Sequence, residues 1–187
     1  DSGTSSRIFG TFLTWMQEKT APVFVIATAN NISTLPSELL RKGRFDEIFF
    51  VDLPTETERK KIFEVHLQKK VASSEVGDEL IIDDQLLTHL SKMTSGFVGA
   101  EIEQAVIAAL YEAFFKKRNL KLEDLELSIK GTVPLAVTQK EQILSLRNWA
   151  NVRAVSATLR EDLETYKTDV TEEDDVSAQR GGRMLDF

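Results

Sequence analysis

Asn30 closes the apolar run Val23-Phe-Val-Ile-Ala-Thr-Ala29, and Arg41 and Arg44 follow it, set three apart about Gly43. These types suit phosphate chemistry. A guanidinium is permanently charged and forked, so it can meet two phosphate oxygens as negative charge moves onto them. An amide orients a water molecule without changing charge, and the end of a strand at the carboxyl edge of a sheet holds it rigidly. Gly43 permits the turn that would project the two arginines. Each residue also has a plainer reading. Asn30 is a turn former after a strand, and Arg41 and Arg44 are solvated side chains, Arg44 paired with Asp46 or Glu47. Further along, Ser95-Gly-Phe-Val-Gly-Ala-Glu101 sets small Gly99 and Ala100 at a helix start, where backbone can approach a ligand closely and Glu101 suits the positive end of the helix dipole. Its plainer reading is a glycine-punctuated helix N-terminus. His66 is either a satisfied core residue or a ligand-facing one, and His89 reads as core or surface.

The elements that must carry these residues change character near Pro54. Helical spacing of Ile8, Phe12, Trp15 and Met16 predicts a helix over residues 5–19, ended by Ala21-Pro22. Val23–Ala29 reads as a strand buried on both faces of a parallel sheet, and Ile48-Phe-Phe-Val51 as a second short buried strand. Beyond Asp52-Leu-Pro54 the pattern is helical throughout. Thr55-Glu-Thr-Glu58 is a capping box opening a helix to about Lys70. Residues 83–92 form a second helix. Val98, Ile102, Ala105, Val106, Ala109, Leu110, Ala113 and Phe114 share one face of a third, which runs to about Lys117. A loop through Gly131 and Pro134 leads to a last helix with Ile143, Leu146, Ala150, Ala154 and Ala157 in register. The expected division is an α/β segment over residues 1–53, an all-helical subdomain over 54–166 and an acidic tail over 167–187.

The chain has 187 residues, no cysteine and two histidines, which excludes disulfides, thiolate metal sites and cysteine nucleophiles and argues against zinc. It has no apolar run of about 18 residues and no signal-peptide pattern at Asp1-Ser-Gly-Thr-Ser-Ser6, so no membrane role is expected, and the chain reads as beginning mid-protein. The net charge of −7 is concentrated late, since residues 161–187 hold nine acidic and three basic side chains. Thr171-Glu-Glu-Asp-Asp175 reads as a polar segment outside any core. An acidic chain argues against nucleic acid, and Lys116-Lys-Arg118 reads as a solvated helix end.

Taken together, Val23–Asn30, the spacing to Leu39-Leu-Arg-Lys-Gly-Arg-Phe-Asp46 and the Ser95–Glu101 segment resemble the AAA family of ATPases. The resemblance covers about residues 2–118 by motif. It implies an incomplete P-loop-type α/β sheet followed by a helical lid. Within the family pattern Asn30 is the sensor of the attacking water or γ-phosphate, and Arg41 and Arg44 are fingers reaching a neighbouring subunit's nucleotide. His66, Gly99 and Ala100 are lid contacts to the nucleotide. Lys42 stands where the family usually has proline, and Glu101 where it has aspartate. Arg7–Glu18 resembles the helix after the second nucleotide motif, which puts Ser2–Ser6 in a pore-facing loop. The phosphate loop Gly-x-x-x-x-Gly-Lys-[Ser/Thr] and an apolar strand ending in Asp-Glu are absent from these residues, so the Mg²⁺ ligands are expected to lie outside the chain and the chain alone to be inactive. The resemblance further implies ATP and Mg²⁺ as cofactors, a homo-oligomeric ring, a hexamer by family habit, and a macromolecular substrate to be remodelled. Pro134–Ile143 and Arg147–Ala154, with Thr14–Lys19 and Arg180-Gly-Gly-Arg183, resemble the AAA proteins of cyanobacteria and algal plastid genomes. That places the protein in a bacterial cytoplasm or a plastid stroma. The competing expectations are a non-enzymatic helical assembly module with an acidic recruitment tail, and a nucleic-acid loader.

Overall fold

A computed structural model describes residues 2–41, 43–71 and 80–159. Lys42 and the tail over 167–187, including Thr171–Asp175, lie outside the described residues. The contacts of the chain divide it between Ile48 and Phe49 into two compact units.

The first unit opens with α1 (Ser2–Glu18). This helix starts earlier than the spacing predicts, so residues 2–6, expected as a loop, are helical. Its half-buried positions are Phe9, Phe12, Leu13 and Met16, whereas Ile8 and Trp15 are exposed. The expected stripe is thus rotated, because Phe9 and Leu13 complete an i, i+3, i+4, i+7 face that Ile8 and Trp15 flank. Phe12 and Trp15 stack with ring centroids 5.8 Å apart.

Val23–Ala29 forms no strand, and Phe24 and Ile26 are 90% and 79% exposed, which corrects the expectation of a doubly buried strand. A strand persists only on ladder hydrogen bonds to a neighbour, and none is formed by this segment among the described residues. A short 3-10 helix (Ile32–Thr34) and a turn follow, with Leu39 buried.

The second unit begins with β1 (Phe49–Phe50), which pairs in parallel with β2 (Val155–Ser156), in register Phe49 to Val155 and Phe50 to Ser156. The strand expected at Ile48–Val51 is therefore present but shorter. It is not buried as expected: Phe49 is 64% and Val51 78% exposed, and Phe50 is half-buried.

Between the strands lie α2 (Glu56–Val71), α3 (Asp84–Met93), α4 (Gly99–Phe115), α5 (Leu122–Lys130), α6 (Leu135–Thr138) and α7 (Lys140–Arg153). The core joins α2, α3, α4 and α5 through Phe63, Leu67, Leu87, Leu90, Ile102, Val106, Ala109, Leu120, Leu125 and Ile129. Alanines at 105, 109 and 113 let α4 lie close to its neighbours. The expected face of α4 is the buried one, except that Phe114 at its end is 62% exposed. The last helix stops at Arg153, so Ala154 caps it and Ala157 lies beyond it, contrary to expectation. The Ala154 backbone is extended and leads directly into β2.

Candidate functional site

Local signals set the starts of α2, α3 and α4. Thr55 and Glu58 form the expected reciprocal box: Glu58 N–H donates to Thr55 Oγ1 at 3.2 Å, and Thr55 N–H donates to Glu58 Oε2 at 2.9 Å. Asp83 Oδ1 accepts from Leu86 N–H at 2.8 Å and caps α3. At α4 the carboxylate of Glu101 reaches back to Val98 N–H at 2.8 Å, so its charge sits at the positive end of the helix.

This geometry sets Gly99 against α2 and His66 one turn further along the same α2–α4 contact, while Ala100 is exposed. Gly99 and Ala100 make the first turn of α4, and a methyl group built on Gly99 would lie 3.8 Å from Ile62 Cδ1, an ordinary contact. His66 lies one turn after Ile62, and Glu103 one turn after Gly99. Accordingly His66 Nδ1 faces Glu103 Oε1 at 3.9 Å. That is too long for a hydrogen bond, and Nδ1 is buried with no partner. Glu103 is engaged elsewhere, with Lys70 Nζ at 2.9 Å, and this ammonium holds its carboxyl below the ordinary carboxylate value. Neither packing nor backbone conformation requires glycine at 99.

Glycine is required three residues earlier. Gly96 has φ +77°, and a Cβ there would stand 2.8 Å from Ala136 Cβ. The glycine-rich segment therefore does two things: Gly96 admits α6, and Gly99 opens α4.

The other candidates lie in the first unit. Asn30 is exposed at the bend before the 3-10 helix. Arg41 is exposed on the turn, and Gly43 has φ +90°, as a projecting turn needs. Arg44 is half-buried, and its Nη1 donates to the Glu38 carbonyl of the same chain. The ion pairs with Asp46 or Glu47 considered from sequence are not the contact it makes. His89 is a surface residue whose Nε2 lies 2.8 Å from Glu126 Oε1; this contact, ahead of Lys130, keeps the Glu126 carboxyl below its usual value. Among the described residues no cluster of three or more His, Asp or Glu could hold a metal ion, and no helix is long and apolar enough to cross a membrane.

Two structural residues escaped the sequence reading. Arg59 is buried, donating from Nε and Nη2 to Ser91 O at 3.2 and 3.1 Å and from Nη1 to Pro54 O at 2.7 Å. Its place one residue after the capping-box glutamate, on the inward face of α2, was the available signal. Asp124 is also buried. It takes both Arg118 Nη atoms at 2.6 Å and Lys121 N–H at 3.1 Å, which starts α5, a helix the sequence reading left within a loop. Arg118 is thus bound at the end of α4 rather than solvated, while Lys116 pairs with Glu112 at 2.7 Å.

Comparison with known proteins gives a consistent result. Residues 1–53 match the "ATPase family associated with various cellular activities (AAA)". The chain is 53% identical over 161 residues to the AAA domain-containing protein ycf46 of Pyropia yezoensis, covering 85% of this chain and 31% of that protein. It is 51% identical over 151 residues to ycf46 of Gracilaria tenuistipitata var. liui, covering 80% and 29%. A more distant relative is the ATP-dependent zinc metalloprotease FtsH of Thermotoga maritima, 37% identical over 112 residues, covering 59% and 17%. The chain thus spans about a third of the length of the ycf46 proteins it matches, relatives encoded on plastid genomes.

Proposed function

From the chain's membership of the AAA family of ATPases, we propose that it works as the C-terminal part of a ring-forming ATPase, with residues 49–159 acting as a nucleotide lid. In this reading His66, Gly99 and Ala100 contact the adenine nucleotide. Asn30 orients the attacking water, and Arg41 and Arg44 reach the nucleotide of the adjacent subunit. The observation that carries it is the first turn of α4, opened by a glycine that neither packing nor φ demands, one turn along the α2–α4 contact from His66, whose unpartnered Nδ1 faces Glu103. The first turn of α4 adds free backbone N–H groups and the positive end of its dipole.

Magnesium, when bound with ATP, would neutralise charge on the β- and γ-phosphates. Its ligands, like the phosphate loop, come from outside these residues. The chain's own groups contribute binding, orientation of water by an amide, and stabilisation of developing charge by fixed guanidinium groups. The energy of hydrolysis is spent on remodelling a macromolecule, in the plastid.

The decisive experiment mixes subunits of the full-length protein. Arg44→Ala should lower the catalytic rate by about 1000-fold with little change in nucleotide affinity, because a finger meets charge that develops only in the transition state. Adding subunits with a disabled phosphate loop but intact Arg44 should restore activity, each partner supplying what the other lacks. The hydrogen bond of Arg44 to Glu38 O favours a second reading, a non-enzymatic assembly module in which this arginine shapes its own turn. Mixed rings without rescue, and assembly indifferent to adenine nucleotide, would establish that alternative.

A further inference from the structure

The segment Pro134–Ala157 is fastened to the helical unit at its two ends and sparsely between them. At one end α6 lies on the loop before α4. Ala136 N–H donates to Gly96 O at 3.4 Å, and the absent Cβ of Gly96 is what lets Ala136 approach. At the other end β2 pairs with β1 and Ala157 N–H donates to Phe50 O at 2.9 Å. Between these ends α7 buries only Ala150 and is tied at its middle by Arg147, whose Nε lies 3.0 and 2.9 Å from the two carboxylate oxygens of Asp52. Asp52 Oδ1 also accepts Leu53 N–H at 2.7 Å, so the carboxylate that holds Arg147 fixes the backbone leading to Pro54 and the capping box of α2.

We propose that residues 134–157 form a strap that couples the Gly96 loop, immediately ahead of the first turn of α4, to β1 and the Asp52–Pro54 linker. A helix of 14 residues is about 21 Å long and stiff. With one buried residue along its length, its position is decided by α6, the Arg147–Asp52 pair and the β1–β2 clasp, so a shift at either end is delivered to the other. Elements with few core contacts are those that move at least cost. Coupling of this kind is reciprocal: whatever displaces the Gly96 loop weakens the β1–β2 clasp, and opening the clasp loosens α6. The proposal deepens the lid reading, since the loop in question adjoins Gly99. Its test uses no nucleotide, so strap and nucleotide site can fail separately.

The test is amide hydrogen exchange in the 187-residue chain, read residue by residue by NMR. Arg147→Gln removes the ion pair that ties the middle of α7 to Asp52. It should speed exchange about 10-fold at Ala157 and, across the strap, about 3-fold at Ala136, while Ile102 and Val106 in the core stay unchanged. Arg147→Lys, which keeps the charge, should return Ala136 to within about 2-fold of the original. Gly96→Ala acts from the opposite end and should accelerate Ala157, which it does not touch. Acceleration at Ala157 alone in Arg147→Gln, or a Gly96→Ala effect that stops at α6, overturns the coupling. If Gly96→Ala also lowers protection at Ile102, the two Arg147 variants decide the matter by themselves.

Discussion

Replacing Arg59 by lysine keeps the charge and removes the fork, and the structure fixes what that should cost. The guanidinium spans two carbonyls that belong to different elements, Ser91 O near the end of α3 and Pro54 O before α2. A lysine ammonium is a point donor and can serve one of them. The two losses are unequal. Ser91 O keeps bonds from Thr94 N–H at 3.4 Å and Thr94 Oγ1 at 3.2 Å, whereas the bond to Pro54 O, at 2.7 Å, is shorter than either bond to Ser91 O. A lysine held at Pro54 O therefore forfeits the Ser91 contacts. With a hydrogen bond to a charged group contributing about 1.5–3 kcal/mol, the expected loss is about 2–3 kcal/mol. Arg59→Met loses both carbonyls and should cost about 4 kcal/mol, so methionine should be worse than lysine. At a urea dependence of about 1.5 kcal/mol per molar, Arg59→Lys should lower the unfolding midpoint by about 1.5 M with an unchanged slope. Far-UV circular dichroism in urea measures this directly, because most of the helix lies in the second unit. A midpoint lowered by less than about 0.3 M, or methionine matching lysine, would refute the argument that one fork ties two elements.

Further outcomes are expected. Gly99→Ala should leave the urea midpoint unchanged or raise it slightly, since its methyl fits against Ile62 and alanine favours a helix by about 0.5–1 kcal/mol, yet weaken adenine-nucleotide binding in the full-length protein, read by titration calorimetry; unchanged affinity counts against the lid role. The Asp124 carboxyl is held low first by Arg118, with the Lys121 N–H assisting, so its contribution is fully present above about pH 4 and is lost as pH falls through the lower folded-state value; urea midpoints measured down to about pH 2.5 should fall less steeply in Asp124→Asn than in the original chain. Thr55→Ala removes an accepted bond at the start of α2 and should cost about 1 kcal/mol by the same unfolding assay, an effect that serine should largely restore.

The starts of α2, α3 and α4 were legible in the sequence because their signals are local. Thr55-x-x-Glu58 needs only its own four residues to cap α2, and the Ile102-to-Ala113 face of α4 is a matter of spacing along one helix. The motif around Asn30, Arg41 and Gly43 was likewise readable by type and order, and with it the family. What the residues of a motif touch is decided by distant partners. Val23–Ala29 has the composition of a buried strand, but a ladder needs neighbours that its own residues cannot supply. The β1–β2 pair joins residues about a hundred positions apart, and the Asp52–Arg147 ion pair spans 95. No local pattern announces either, since an isolated carboxylate or guanidinium is equally at home in water. α5 was hidden for a related reason: its start depends on Asp124 being buried against Arg118, a partner across the preceding turn. Gly96 and Gly99 look alike in sequence. A φ of +77° and packing against Ala136 make the first indispensable, and nothing of the kind is demanded of the second. Periodicity and capping are short-range and survive in one dimension, while pairing, burial and close approach are set by which segments meet.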